Sequence, residues 1–270
     1  MEKTVVVLGA SADIGRKMCE FYANDGFRVV GTYRNLSGNI KALKKLTNIT
    51  LFKCDVTKKE DLKRLIQYFE KTGLRWTTVF SSIGTSEPIG KFFDLSFDKW
   101  EDSLQVNCLG QLRALHMLHE YRVKKGIVDI VLLAGGGTNN PFSCYSAYCV
   151  SKIMLIKMCE LLDDENKDLN IFIVGPGFVR TKTHFETIRA GKNAGGNCYR
   201  VKAFLDSGDP GTPFRKIYES IRWLERQGRR ISGGRNFSIV NDRFGDKRLI
   251  SDLKKDLNMY KLRRYRNEWK

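Results

Sequence analysis

The chain has 270 residues, 42% of them hydrophobic, and carries a net charge of +17 from 47 Lys and Arg against 30 Asp and Glu. That length buries a full core in one domain, and no apolar run approaches the roughly eighteen residues of a membrane span. The seven cysteines are scattered without a Cys-x-x-Cys pair, mostly in apolar contexts, so they read as core-filling reduced thiols of a cytoplasmic protein.

The first element is a buried strand over Thr4–Leu8, apolar and β-branched. It runs straight into Gly9-Ala10-Ser11-Ala12-Asp13-Ile14-Gly15, and a helical pattern with Met18, Phe21 and Tyr22 on one side follows. The early strand leaves no room for a signal peptide. Strand, glycine-rich turn and helix form the context of a dinucleotide phosphate site. Gly9 permits the tight turn, small Ala10 and Ser11 let backbone N–H groups approach a pyrophosphate, and Gly15 allows close helix packing. The helix N-terminus adds free donors and partial positive charge. An ordinary strand–helix turn capped by Ser11 or Asp13 is the alternative.

A second strand, Phe27–Tyr33, ends at Arg34. An acid at this point would bind the ribose hydroxyls of NAD. Thr32, Tyr33, Arg34 and Asn35 contain none, and Arg34 suits the 2′-phosphate of NADP, so the sequence favours NADP over NAD. A solvated arginine at a strand end is the competing reading. A third strand, Ile49–Cys54, leads to Asp55-Val56, and a fourth leads through Val79–Ile83 to Gly84. His116 and His119 lie three apart on one helix, without the further ligands a metal site needs, and read as structural.

Tyr148 and Lys152 stand four residues apart. On a helix both project from one face. A cation beside a tyrosine favours the phenolate and lowers the tyrosine pKa. A phenol tuned that way passes a proton to or from an alcohol or carbonyl oxygen.

These landmarks resemble those of the short-chain dehydrogenase/reductase family, in order and over nearly the whole chain. Gly9-x-x-x-Asp13-x-Gly15 is similar to the family's glycine motif, with Asp13 where a middle glycine is usual. The resemblance implies that Asp55 and Val56 contact adenine, and that Gly84 ends the family's Asn-Asn-Ala-Gly turn. It implies that Asn107 holds a proton-relay water, that Tyr148 and Lys152 are the catalytic pair, and that Pro176, Gly177, Val179 and Thr181 grip the nicotinamide carboxamide and phosphates. The implied fold is α/β, a doubly wound parallel sheet of Rossmann type in three α/β/α layers. The implied activity is NAD(P)-dependent hydride transfer at a carbon bearing oxygen.

One departure concerns catalysis. The family places a serine thirteen residues before its tyrosine, and here that position is Gly135, within Gly135-Gly136-Gly137-Thr138. Thr138 can bring a hydroxyl to the site on an unusual glycine backbone, or backbone N–H groups of the loop can bond the oxygen directly. A chain that binds NADP(H) without turnover, in a sensing or scaffolding role, is the alternative function.

The domain is read as 1–270, with a cofactor-binding and catalytic part over 1–180, a substrate part over 181–230, and a last strand plus basic extension over 231–270. His184–Arg200 reads as a glycine-bearing loop that closes over substrate, with Arg189, Lys192 and Arg200 available for phosphates; a plain surface loop is the alternative. Ile217–Leu224 reads as an amphipathic helix, and Ile231–Phe244 as the last strand and its exit. The extension, with Met259, Tyr260 and Leu262 as anchors on a neighbouring subunit or beside the site and Arg263 and Arg264 offered to an anion, resembles a subgroup linked to bacterial surface-polysaccharide clusters. The basic surface draws anions, so an anionic small molecule, phosphorylated or nucleotide-linked, is the expected partner. A solvated basic face is the plain alternative. No nucleic-acid-reading motif is present. The family resemblance implies a homodimer or homotetramer.

Overall fold

The computed structural model describes residues 3–264. Seven strands form one sheet in the order β3-β2-β1-β4-β5-β6-β7. They are β1 (Thr4–Leu8), β2 (Arg28–Tyr33), β3 (Ile49–Lys53), β4 (Thr78–Ser81), β5 (Val128–Leu133), β6 (Leu169–Gly175) and β7 (Asn236–Ser238). Every pairing is parallel. The winding reverses between β1 and β4, and the crevice beyond the carboxyl ends of these strands is where open α/β sheets bind ligands.

The helices are α1 (Asp13–Asn24), α2 (Gly38–Leu43), α3 (Lys59–Thr72), α4 (Phe97–Leu104), α5 (Gly110–Leu118), α6 (Ser146–Glu165), α7 (Thr183–Ala190), α8 (Gly196–Asp206), α9 (Phe214–Gln227), α10 (Arg229–Ser232) and α11 (Lys247–Lys255). Alternation along β1 sets the layers. Val5 and Val7 join Met18, Tyr22, Ile217, Ile221 and Leu253 on one face, packing α1, α9 and α11 against the sheet. Val6 and Leu8 join Leu62, Phe69, Leu115, Leu155 and Ile156 on the other, packing α3, α5 and α6. A strand buried on both faces has no polar side, which is why β1 reads as a continuous apolar run. Each fully buried Leu, Ile or Val contributes about 1.5–3 kcal/mol.

Three expectations are corrected. The 184–200 stretch is not a loop: α7, a 3₁₀ turn at Gly191–Ala194 and α8 occupy it. Its buried positions are Thr187, Ala194 and Cys198, small or polar residues that leave a faint apolar stripe. The last strand is only Asn236–Ser238, because Arg229–Ser232 forms α10. The extension folds back on its own chain: Met259 and Tyr260 pack on one core layer and Leu262 on the other. Arg263 is held by Glu160 at 2.6 Å, so it is not offered to an anion. No helix among the described residues is long and apolar enough to cross a membrane, and they contain no group of His, Cys, Asp and Glu that could hold a metal ion.

Candidate active site

The turn after β1 depends on two glycines. Gly9 has φ +85°, a left-handed backbone that side chains disfavour. Gly15 lies so close to it that a Cβ there would stand 2.2 Å from the Gly9 carbonyl oxygen and 2.3 Å from Ser82 Oγ. The Ser82 hydroxyl donates to that carbonyl at 2.9 Å, locking β4 to the turn. Thr32 accepts from the Gly9 N–H at 3.2 Å through Oγ1. Helix α1 begins at Ala12 with no side-chain cap, so neither Ser11 nor Asp13 serves as one. The first-turn N–H groups of Asp13, Ile14 and Gly15 are therefore left for an anion or solvent. This donor set fits a dinucleotide diphosphate.

Asp13 has a different task. Its Oδ2 accepts from the Lys182 N–H at 3.0 Å, and its Oδ1 accepts from Asn39 Nδ2 at 3.1 Å. Asn39 also donates to the Ser11 carbonyl at 3.0 Å. The acid that replaces a glycine thus ties the phosphate turn to α2 and to the loop before α7.

A cleft of about 1160 Å³ opens beside this turn. Of the residues expected to bind cofactor, Gly9, Ser11, Arg34, Asp55, Val56 and Gly84 line it. Arg34 is exposed and has no carboxylate partner among the described residues. Asp55 is oriented by Thr57, whose N–H and Oγ1 donate to its Oδ1 at 3.0 and 2.8 Å. Pro176, Gly177, Val179 and Thr181 do not line the cleft. Gly177, at φ +75°, packs on Val240 and Thr212, and Val179 is buried.

Two of the catalytic candidates, Asn107 and Lys152, stand behind the cleft wall. A Cβ on Gly84 would sit 3.5 Å from Asn107 Oδ1 and 3.7 Å from Lys152 Nζ, so the bare glycine is a window onto both. Asn107 is fully buried in a π-helical segment, Gln105–Leu109, between α4 and α5, a helix irregularity frequent at functional sites. Its amide accepts from the Thr85 N–H at 2.8 Å and donates to the Thr85 carbonyl at 2.9 Å and to Ser103 Oγ at 3.0 Å. Its side chain thus braces the β4 exit.

Lys152 is buried and donates to the Leu133 carbonyl at 2.8 Å. That leaves two of its three N–H groups for a ligand. Desolvation lowers its pKa from 10.5 to about 8. Its Nζ lies 5.7 Å from the centre of the Tyr148 ring. The expectation that it depresses the phenol is corrected: desolvation, then Cys149 and Glu186, hold the Tyr148 pKa well above its ordinary value. The Thr138 hydroxyl turns to the Gly135 carbonyl at 3.4 Å.

Sequence reading passed over Glu186. It lines the cleft from α7 and accepts from the Ser86 N–H at 2.7 Å. Burial and neighbouring Glu87 raise its pKa. Its signal was masked because the segment carrying it read as loop. Of the three cations expected to meet phosphate, only Arg189 lines the cleft, and Glu87 holds it at 3.4 Å. Arg200 stacks over Phe178 instead.

The short chain dehydrogenase family model matches residues 3–191. The chain belongs to the short-chain dehydrogenase family. It is similar to an NAD-dependent glycerol dehydrogenase of Listeria innocua, 23% identical over 67% of this chain and 72% of that protein. It is also similar to the human 3-oxoacyl-[acyl-carrier-protein] reductase, 28% identical over 67% of this chain and 77% of that one. Among solved structures, a short chain dehydrogenase/reductase of Saccharomyces cerevisiae superposes with a TM-score of 0.76 at 20% identity, covering 92% of this chain and 98% of that one. A polyketide ketoreductase with NADPH superposes at 0.75 and 19% identity, covering 88% and 95%. As a short-chain dehydrogenase the chain is a nicotinamide-dependent oxidoreductase that interconverts an alcohol and a carbonyl.

Proposed function

We propose that this short-chain dehydrogenase uses NADP to interconvert an alcohol and a carbonyl on a sugar or sugar-derived substrate that carries phosphate or a nucleotide. The observation that carries this reading is the placement of Lys152 and Asn107 behind the Gly84 window of a cleft with Arg34 on its wall, with the Tyr148 ring 5.7 Å from Lys152 Nζ. Arg34, free of carboxylates, supports NADP through its fit to a 2′-phosphate. Lys99 and Lys182 line the cleft without a carboxylate partner among the described residues and support an anionic substrate. The glycerol dehydrogenase relative supports a polyhydroxylated one.

The bound nicotinamide gives or takes the hydride. Tyr148 gives or takes the proton on the substrate oxygen. Lys152 holds the nicotinamide ribose with the two N–H groups that its bond to the Leu133 carbonyl leaves free. Asn107 fixes the Thr85 segment at the cleft wall and positions the relay water. Ser11, Ile14, Gly15 and Asp13 offer backbone to the diphosphate, and Asp55 and Val56 the adenine contacts. Thr138 and the loop backbone are the donors proposed in place of the serine. Exposed Val150, Ile153 and Leu161 along α6 support self-association through that helix.

A second reading, NADP(H) binding without turnover, is favoured by the raised Tyr148 pKa. Fluorescence titration with NADPH and NADH, followed by a panel of phosphorylated and nucleotide-linked keto sugars, separates the two. Tight NADPH binding with turnover of a panel member upholds the enzyme. Binding without turnover across the panel upholds the sensor.

A further inference from the structure

The glycine at position 135 is occupied space. A Cβ built there would lie 1.8 Å from Tyr148 Oη, 2.4 Å from its Cζ and 2.7 Å from its Cε1. A side chain enters there only if the Tyr148 phenol moves away. Gly135 does not take a left-handed backbone, so its φ would admit alanine or serine, and the three nearest atoms that oppose one all belong to the Tyr148 phenol. The contact is part of a longer one. A Cβ at Gly137 would lie 2.4 Å from Cys149 Sγ and 2.6 Å from Phe142 Cβ. The Cys149 thiol points to the Gly136 carbonyl at 3.7 Å. Loop and helix are therefore closed on each other, glycine against side chain, along the first turn of α6. Gly136 is the exception: its Cβ position would meet only the Phe142 ring, at an ordinary contact distance of 3.7 Å.

We infer that Gly135 is a positioning residue, a seat for the Tyr148 phenol, and that the site is built to work with no side chain at the position where its family carries a serine. This role rests on Tyr148 being the acid/base. A serine placed at 135 acts as a wedge and not as a recovered donor. It pushes the phenol off its seat, and a displacement of about 1 Å at a reacting group commonly costs about a hundredfold in rate. Tyr148 then carries the substrate-oxygen contact, with Thr138 and backbone N–H groups of the adjoining loop as the donors near it.

The test is a comparison of Gly135→Ser, Gly135→Ala and Gly136→Ala, each in the wild-type chain, with Gly135→Ala repeated in a Tyr148→Ala background. Both Gly135 variants are expected to lose about a hundredfold in kcat, alanine as badly as serine, while the Kd for NADPH stays within about twofold. Their melting temperatures fall by several degrees through overpacking. Gly136→Ala leaves the melting temperature near wild type. In the Tyr148→Ala background the Gly135→Ala loss disappears, because the clashing ring is gone. Should Gly135→Ala fail to fold alone, folding of the double variant equally upholds the seat. A Gly135→Ser variant with kcat equal to or above wild type overturns the inference, as does an equal melting-temperature loss in both backgrounds. The melting cycle needs no turnover, so it decides the seat even if the enzyme reading fails.

Discussion

The carboxylate of Asp13 accepts a hydrogen bond from the backbone N–H of Lys182, 169 residues later, at 3.0 Å. Lys182 opens the α7 segment, whose Phe185, Glu186 and Arg189 line the cleft. The phosphate turn therefore holds the α7 segment by its first residue. Glu186 on Ser86 and Arg189 on Glu87 hold it further along. Replacing Asp13 with Gly removes the first tie and the bond from Asn39. Amide hydrogen exchange over residues 182–190 is expected to speed up, with a stability loss of about 1 kcal/mol. Unchanged exchange in that segment would show that Asp13 is not a tie.

Lys152 gives the folded chain a distinct alkaline signature. Its pKa is about 8 when folded against 10.5 as an ordinary lysine. Between those values the unfolded chain binds more protons, so the Lys152 contribution to stability is present above 10.5 and is lost as pH falls through about 8. Its full size is roughly 3 kcal/mol. Denaturant titrations of Lys152→Met and wild type without cofactor should therefore converge as pH rises across this window. A constant gap would mean that Lys152 is not buried as a cation.

Tyr148→Phe keeps the ring against Gly135 and removes only the proton carrier. Turnover is expected to fall by about 10²- to 10⁴-fold, with NADPH affinity unchanged by fluorescence titration. Retained turnover would move the acid/base role elsewhere.

Arg34→Ala is expected to weaken NADPH by about 1.5–3 kcal/mol, the range for a charge-assisted hydrogen bond, and to leave NADH nearly untouched. Parallel titrations check it. An equal loss for both cofactors would remove the 2′-phosphate role.

The Tyr148→Phe and Gly135→Ser variants separate two ways of losing activity. The first leaves the seat filled and removes chemistry. The second leaves the phenol's chemistry and removes its seat. Their melting temperatures should therefore diverge even if both are slow.

Much of this molecule was determined by local sequence. The alternation of Val5, Val6, Val7 and Leu8 sets the two layers, since neighbouring strand residues face opposite sides. Gly9 and Gly15 mark the turn because steric limits there act over a few residues. The spacing of Tyr148 and Lys152 needs only one turn of helix. What tertiary structure decided are contacts between segments far apart in the chain. Helix α7 is held by Asp13, Ser86 and Glu87, and its one buried residue, Thr187, is polar and prints no periodic stripe. The basic tail finds its place through Glu160 and its own core. Lys152 reaches its lowered pKa by burial beneath β5, and a pKa depends on surroundings that no four-residue motif contains. Gly135, read alone, is a missing hydroxyl. Only the fold brings the Tyr148 phenol into that space, because shape complementarity exists between packed surfaces and not along a chain.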